Sequence, residues 1–326
     1  MTAAVPPPRT VWLVGVVCAS LALSGCAWVK GMAMKSVASS LTETGTVFSR
    51  DDDPELIRDA VPFALKLYES LLESLPRNRD LLLATCSGFT QYAYAFVQGE
   101  ADSVDPTDYE TLAKIDERAF KMYMRARGYC VRALELRHAG TEAALQRNLP
   151  EALAWAEPKD VPLLYWTGAS WGSAIALGLD KPGLLLDVPA MRALMARALE
   201  LDETYSQGAI HAVMITLESK PEMGGSVEGA RKHFARAVEL SKGLDPVPYV
   251  TLATTVAVPE RNRDEFVKLL EQAVAIDPEK NPDNRLAILI TQRRAKALLA
   301  RVDELFPPRS DPARQVFTHA WDRRPR

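Results

Sequence analysis

Two stretches decide the fold: ARKHFARAVEL at residues 230–240 and FVKLLEQAVAIDP at 266–278. In the first, Ala230, Phe234 and Ala237 stand at offsets 0, +4 and +7. In the second, Phe266, Leu270 and Ala273 take the same offsets, and Pro278 follows Ala273 by five residues. Those offsets fall on one face of a helix with a 3.6-residue period. The small residue lets a second helix come close, the bulky one fills the space between them, and proline cannot continue the helix. A Gly243-Leu244-Asp245-Pro246 break separates the two stretches. Neither can bury its apolar face alone, so each needs a stacked neighbour.

The neighbours are written in the same phrase. RALEL recurs at 132–136 and 197–201, RAVEL stands at 236–240, and QAVAI is a divergent copy at 272–276. Their alanines, Ala133, Ala198, Ala237 and Ala273, are spaced 65, 39 and 36 residues apart. The tetratricopeptide (TPR) repeat has a period of about 34, and the first interval is near twice that. The fold expected is all-α: an irregular TPR-like helical repeat stack, or α-solenoid, with insertions.

The chain has 326 residues and a formal net charge of −3. That balance gives no basic face for nucleic acid and no acidic tail. Near the start, Arg9 precedes an apolar run from Val11 to Leu23, which is short for a membrane span. The run ends Leu23-Ser24-Gly25-Cys26, small residues directly before a cysteine. This is the pattern of a bacterial lipoprotein leader, with Cys26 lipidated as the mature N-terminus. Ala27, where an aspartate would favour inner-membrane retention, points to the periplasmic side of the outer membrane. The division expected is a signal peptide at 1–25, a lipidated tether at 26–50, a helical domain at 51–306 and a Pro/Arg-rich tail at 307–326. Cys86 and Cys130 remain in the mature chain, each within an apolar helical stretch. They are expected to be two small buried residues at helix contacts rather than a disulfide, since two isolated cysteines make no framework.

Asp51-Asp52-Asp53-Pro54-Glu55 starts a helix, with a capping aspartate, an early proline and negative charge at the positive end of the dipole. Further helices are expected near 54–75, 80–98, 108–138, 203–219 and 282–305. Around residue 165 the composition is unusual: Tyr165, Trp166, Gly168, Trp171 and Gly172 fall on one helix. Gly168 and Gly172 share a face and suit close helix approach. Trp166 and Trp171, with Tyr165, are the candidates to line a ligand cavity or a partner surface. Met223-Gly224-Gly225-Ser226 is a candidate functional loop; Ser226 is expected to cap the next helix, the alternative being an anion held on backbone amides. Gln292, Arg293, Arg294 and Lys296 give the last helix a basic side, read as a solvated face or a docking patch for an acidic partner.

No catalytic or metal-binding pattern accompanies these features. His138, His211, His233 and His319 have no metal-ligand spacing, and neither a nucleophile elbow nor a phosphate loop occurs. No cofactor is implied, and helical repeat stacks bind more often than they catalyse.

Several separated phrases together resemble one known family. They are SRDDDPELI at 49–57, PFALKLYESLL at 62–72, GFTQYAYAF at 88–96, DVPLLYWTG at 160–168, MGGS at 223–226 and AILITQRRAK at 287–296. The chain resembles, over about residues 47–306, the T-component family of TRAP (tripartite ATP-independent periplasmic) transporters. The resemblance implies a non-enzymatic periplasmic lipoprotein with TPR-like repeats, a homotrimer with a pore or cavity through each protomer. It also implies association with the soluble substrate-binding P component and a role in capture or hand-over of ligands, hydrophobic ones among them. The other reading of an anchored helical stack is a TPR-type scaffold for envelope assembly.

Overall fold

A computed structural model describes residues 45–307, apart from 148, 149, 179, 222 and 223. The leader, Cys26, most of the tether, Met223 and the tail beyond Pro307 lie outside the described residues. The fold is all-α, with no strand among the described residues. After a short α1 (Gly45–Ser49) come α2 (Pro54–Ser74), α3 (Arg79–Tyr92) and the long α4 (Tyr109–Arg137). α5 (Thr141–Gln146) leads to α6 (Val161–Leu177), α7 (Pro182–Leu185) and α8 (Val188–Leu201). Then follow α9 (Tyr205–Glu218), α10 (Val227–Leu240), α11 (Val247–Leu252), α12 (Arg263–Val274), α13 (Arg285–Ala300) and α14 (Val302–Leu305).

Local chemistry explains the helix starts. The Asp53 carboxylate accepts from the amides of Glu55 and Leu56 at 3.1 and 3.0 Å, with Pro54 opening α2. Asp108, Asn78 and Asn262 do the same for α4, α3 and α12. Each supplies an acceptor to amides that have no partner inside the helix. The apolar faces of the opening stretches are buried as their spacing requires: Ala230, Ala237, Phe266, Leu270 and Ala273 are at most 1% exposed. α12 ends at Val274, before Pro278, and its last carbonyls are met from outside. The Gln292 amide donates to the carbonyls of Ala273, Val274 and Ile276 at 3.2, 3.0 and 2.6 Å.

Several elements depart from the sequence expectation. Cys86 on α3 and Cys130 on α4 form a disulfide, with Cα atoms 5.5 Å apart. The two cysteines therefore do more than fill a helix contact: they fasten two packed helices across 44 residues of chain. α3 stops at Tyr92 and continues as a π turn (Ala93–Val97) and a 3-10 segment (Gln98–Ser103). A second π turn, Ala253–Ala257, extends α11. In α9 the first turn has the wrong hand. Ser206, Gln207 and Gly208 have φ of 47°, 58° and 91°. Left-handed backbone is costly for Ser and Gln. It is held by a reciprocal amide pair, with Asn281 Nδ2 donating to Gln207 Oε1 at 3.0 Å.

The helices do not form an open row. α13 returns to the beginning of the chain and packs on α1, α2 and the 3-10 segment after α3. Arg50 pairs with Asp283 at 2.7 Å, Arg293 with Glu55 at 2.7 Å, and Arg285 donates to the Arg50 carbonyl at 3.1 Å. The basic side expected on this helix is thereby split. Gln292 is buried, Arg293 pairs with Glu55 at the seam, and Arg294 turns inward beside Tyr94 and Asp102. It is not a single solvated face.

Candidate functional site

The residues singled out around position 165 separate into two groups. Trp171 has no exposed surface; its indole N–H donates to Asp187 Oδ2 at 3.0 Å, and the Arg127 guanidinium lies 3.9 Å from its ring centre. Gly168 and Gly172 face α8. A Cβ on Gly168 would stand 2.9 Å from Met195 Cε, and one on Gly172 would stand 3.5 Å from Met191 Cγ. The two glycines set how closely α6 and α8 approach, and Trp171 is sealed in the core.

Tyr165 and Trp166 are half-buried. Burial pushes the Tyr165 hydroxyl well above the usual tyrosine range. Its ring meets that of Trp166 edge-on at 5.0 Å and that of Tyr205 at 5.3 Å. Tyr205, at the head of α9 beside the left-handed turn, is likewise half-buried, and its hydroxyl is also pushed up by burial.

Charged groups join this aromatic wall from distant parts of the chain. Asp245, in the break between α10 and α11, is half-buried. Its Oδ1 accepts from the Val247 amide at 2.9 Å. Burial raises its carboxyl above the ordinary value, and its charge reaches the Tyr165 hydroxyl. On α13, Arg294 donates to the Tyr94 hydroxyl at 3.1 Å and lies 3.7 Å from Asp102. Tyr94 and Asp102 both favour its charged form. Burial dominates at Asp102 and raises its carboxyl despite Arg294. Tyr94 stands in the π turn after α3 and is exposed, at 41%.

Elsewhere the geometry is less suggestive. A groove of about 670 Å³ runs along the outside of α4, but its lining residues, from Glu110 to Arg125, all come from that one helix. In the candidate loop, Ser226 caps α10 by accepting from the Gly229 amide at 3.0 Å. A Cβ on Gly225 would stand 2.5 Å from the Glu218 carbonyl, so this glycine lets the loop close on the end of α9. Among the described residues no group of three or more His, Cys, Asp or Glu is placed to hold a metal ion.

The groups that sequence reading missed are Tyr94, which is exposed, and the half-buried Asp102, Tyr205, Asp245 and Arg294. Tyr94 lay inside the quoted phrase at 88–96 without being singled out. Asp245 lay in a break read only as a helix stop. The unpaired aspartate within an otherwise apolar GLDPVPYV stretch was the local signal available.

The chain is 32% identical over 266 residues to an uncharacterized protein of Treponema pallidum (strain Nichols), covering 80% of this chain and 82% of the relative. The family model for the TRAP transporter T-component matches residues 50–306, which spans the helices from α2 to α14. The chain belongs to the T-component family of TRAP transporters.

Proposed function

We propose that this protein is a non-enzymatic accessory of a TRAP-type transporter that docks on the soluble substrate-binding P component and receives a small, partly hydrophobic ligand in its interior. Family membership supports the accessory role and an association with other transporter components. The observation that carries the ligand site is the half-buried aromatic cluster of Tyr165, Trp166 and Tyr205, with ring centres 5.0 and 5.3 Å from that of Tyr165. Aromatic walls with a few placed polar groups are what small-molecule sites are made of. The tether and Cys26 anchor the protein, as a lipoprotein, to the periplasmic face of the outer membrane. Three protomers associate, each with its own interior.

The experiment is a binding titration between the purified protein and the P component of its own transporter, at micromolar concentrations. A saturable complex supports the proposal. Clean absence of binding, with both proteins folded, overturns it.

A further inference from the structure

We propose that residues 33–41 of the tether fold back as a helix onto the outer face of α2 and cover an apolar stripe there.

α2 turns Ile57, Leu65, Tyr68 and Leu72 into the core. Leu56, Ala60, Phe63 and Leu67, at offsets 0, 4, 7 and 11, make a second apolar face beside that one. Among the described residues, Leu56 and Phe63 are 58% and 76% exposed. α2 packs on α3 and touches α13, and neither covers this face. A helix whose apolar arc is wider than its partners cover has room for one more neighbour.

The tether carries a matching face. Ala33, Met34, Val37, Ala38 and Leu41 stand at offsets 0, 1, 4, 5 and 8, on one side of a helix. Lys35, Ser36, Ser39 and Thr42 fall on the other side. A helix this short does not hold alone in water, so it needs a surface. Three residues separate Leu41 from α1, and α1 is held at the head of α2. There the Asp51 amide donates to the Phe48 carbonyl at 3.3 Å, and Arg50 pairs with Asp283 at 2.7 Å. The segment therefore starts within reach of the stripe, and docking inside one chain costs little freedom of movement. Other occupants fit less well. A stable dimer buries about 800 Å² per partner, more than two well-exposed side chains supply. An anionic bilayer surface would meet Asp51, Asp52, Asp53, Glu55 and Asp59 at the head of α2.

Docking shortens the tether. On the lipoprotein reading, residues 27–32 are all that then lies between Cys26 and the docked helix. Fully extended they reach about 20 Å, so the body stays close to the membrane. This consequence rests on lipidation of Cys26; the docking itself does not.

The test is hydrogen exchange, read by mass spectrometry, on the purified unlipidated protein with its tether retained. Amides 33–41 should exchange slowly. The double substitution Leu56→Glu, Phe63→Glu alters exposed side chains only. The other helices should keep their protection while exchange at 33–41 quickens by about tenfold or more. Val37→Asp should have the same effect from the tether side and serves should the double variant misfold. Unprotected amides at 33–41 in the unaltered protein, or protection there that survives the substitutions, overturns the inference. Sedimentation of the same samples identifies the alternatives. If the double substitution dissociates an oligomer, or releases protection at 308–326, while 33–41 exchanges freely throughout, a second copy or the tail covers the stripe and the inference falls.

Discussion

The guanidinium of Arg294 donates to the hydroxyl of Tyr94 at 3.1 Å, across 200 residues of chain. The contact joins the last long helix to the π turn after α3. The seam is also held by Arg50–Asp283 and Arg293–Glu55, where every partner is more than half exposed. Exposed pairs contribute little, about 0–1 kcal/mol, because water screens them. Asp283→Ala should therefore change stability by less than about 1 kcal/mol. Arg294→Met strands Asp102 next to the interior and should cost about 1–3 kcal/mol. Thermal and urea unfolding of the two variants should separate them; equal effects would mean that the Arg294 contact is no more important than the exposed ones.

The Cys86–Cys130 bridge closes a span of 44 residues and holds α3 against α4. Cross-links of this span stabilise by about 2–4 kcal/mol, chiefly by restricting the unfolded chain. Reduction, or the double substitution to alanine, should lower the urea midpoint accordingly without changing helical content. Mass spectrometry of the purified protein, with and without reductant, checks the pairing directly.

Two glycines should respond differently to alanine. At Gly225 the new Cβ would meet the backbone carbonyl of Glu218 at 2.5 Å, and backbone cannot step aside. Gly225→Ala should cost about 1–3 kcal/mol. At Gly168 the nearest atom is the terminal methyl of Met195 at 2.9 Å, a flexible neighbour. There the strain is offset by a helix-propensity gain of about 1 kcal/mol. Gly168→Ala should be nearly neutral in unfolding titrations.

Histidines 211 and 233 face each other between α9 and α10, with their Nδ1 atoms 2.8 Å apart. Burial lowers both pKa values, and for His233 the neighbouring His211 lowers it further. Glu203, 3.4 Å from His211 Nε2, opposes that shift, while Arg236 reinforces it; Glu218 raises His233. With folded pKa values below the unfolded value of about 6.5, the unfolded chain binds more protons in the interval between them. The pair's contribution to stability is thus complete above about pH 6.5 and is lost as pH falls from there through the folded pKa values. Melting curves at neutral and mildly acid pH should show the loss, and His233→Phe should flatten that part of the profile.

The helices were legible because their signals are local. Ala230, Phe234 and Ala237 report their face within eight residues, and Asp53 or Ser226 marks a start within four. The interior was not legible because nothing local encodes it. Tyr94, Tyr165, Asp245 and Arg294 come from four separated elements, and no spacing links them. The phrases at 88–96, 160–168 and 287–296, which carry the family resemblance, do contain three of the four. The disulfide partners gave only their apolar setting, which fits a buried thiol equally well. The left-handed turn at Ser206–Gly208 was hidden for another reason: Ser and Gln do not advertise that backbone, and the amide that steadies it, Asn281, is 74 residues away from Gln207.

An open row of repeats can grow by duplication, one unit at a time, and widen what it grasps. A chain whose last long helix is keyed to its first has lost that freedom. Here an added unit would have to break the seam between Arg50, Glu55, Asp283 and Arg293 before it could be accommodated. Relatives that handle different cargo are then expected to keep the number of helices and repaint the surface inside, exchanging residues at positions such as 94, 165, 205 and 245. Comparing those few positions among transporters with known cargo would sort them by what they carry.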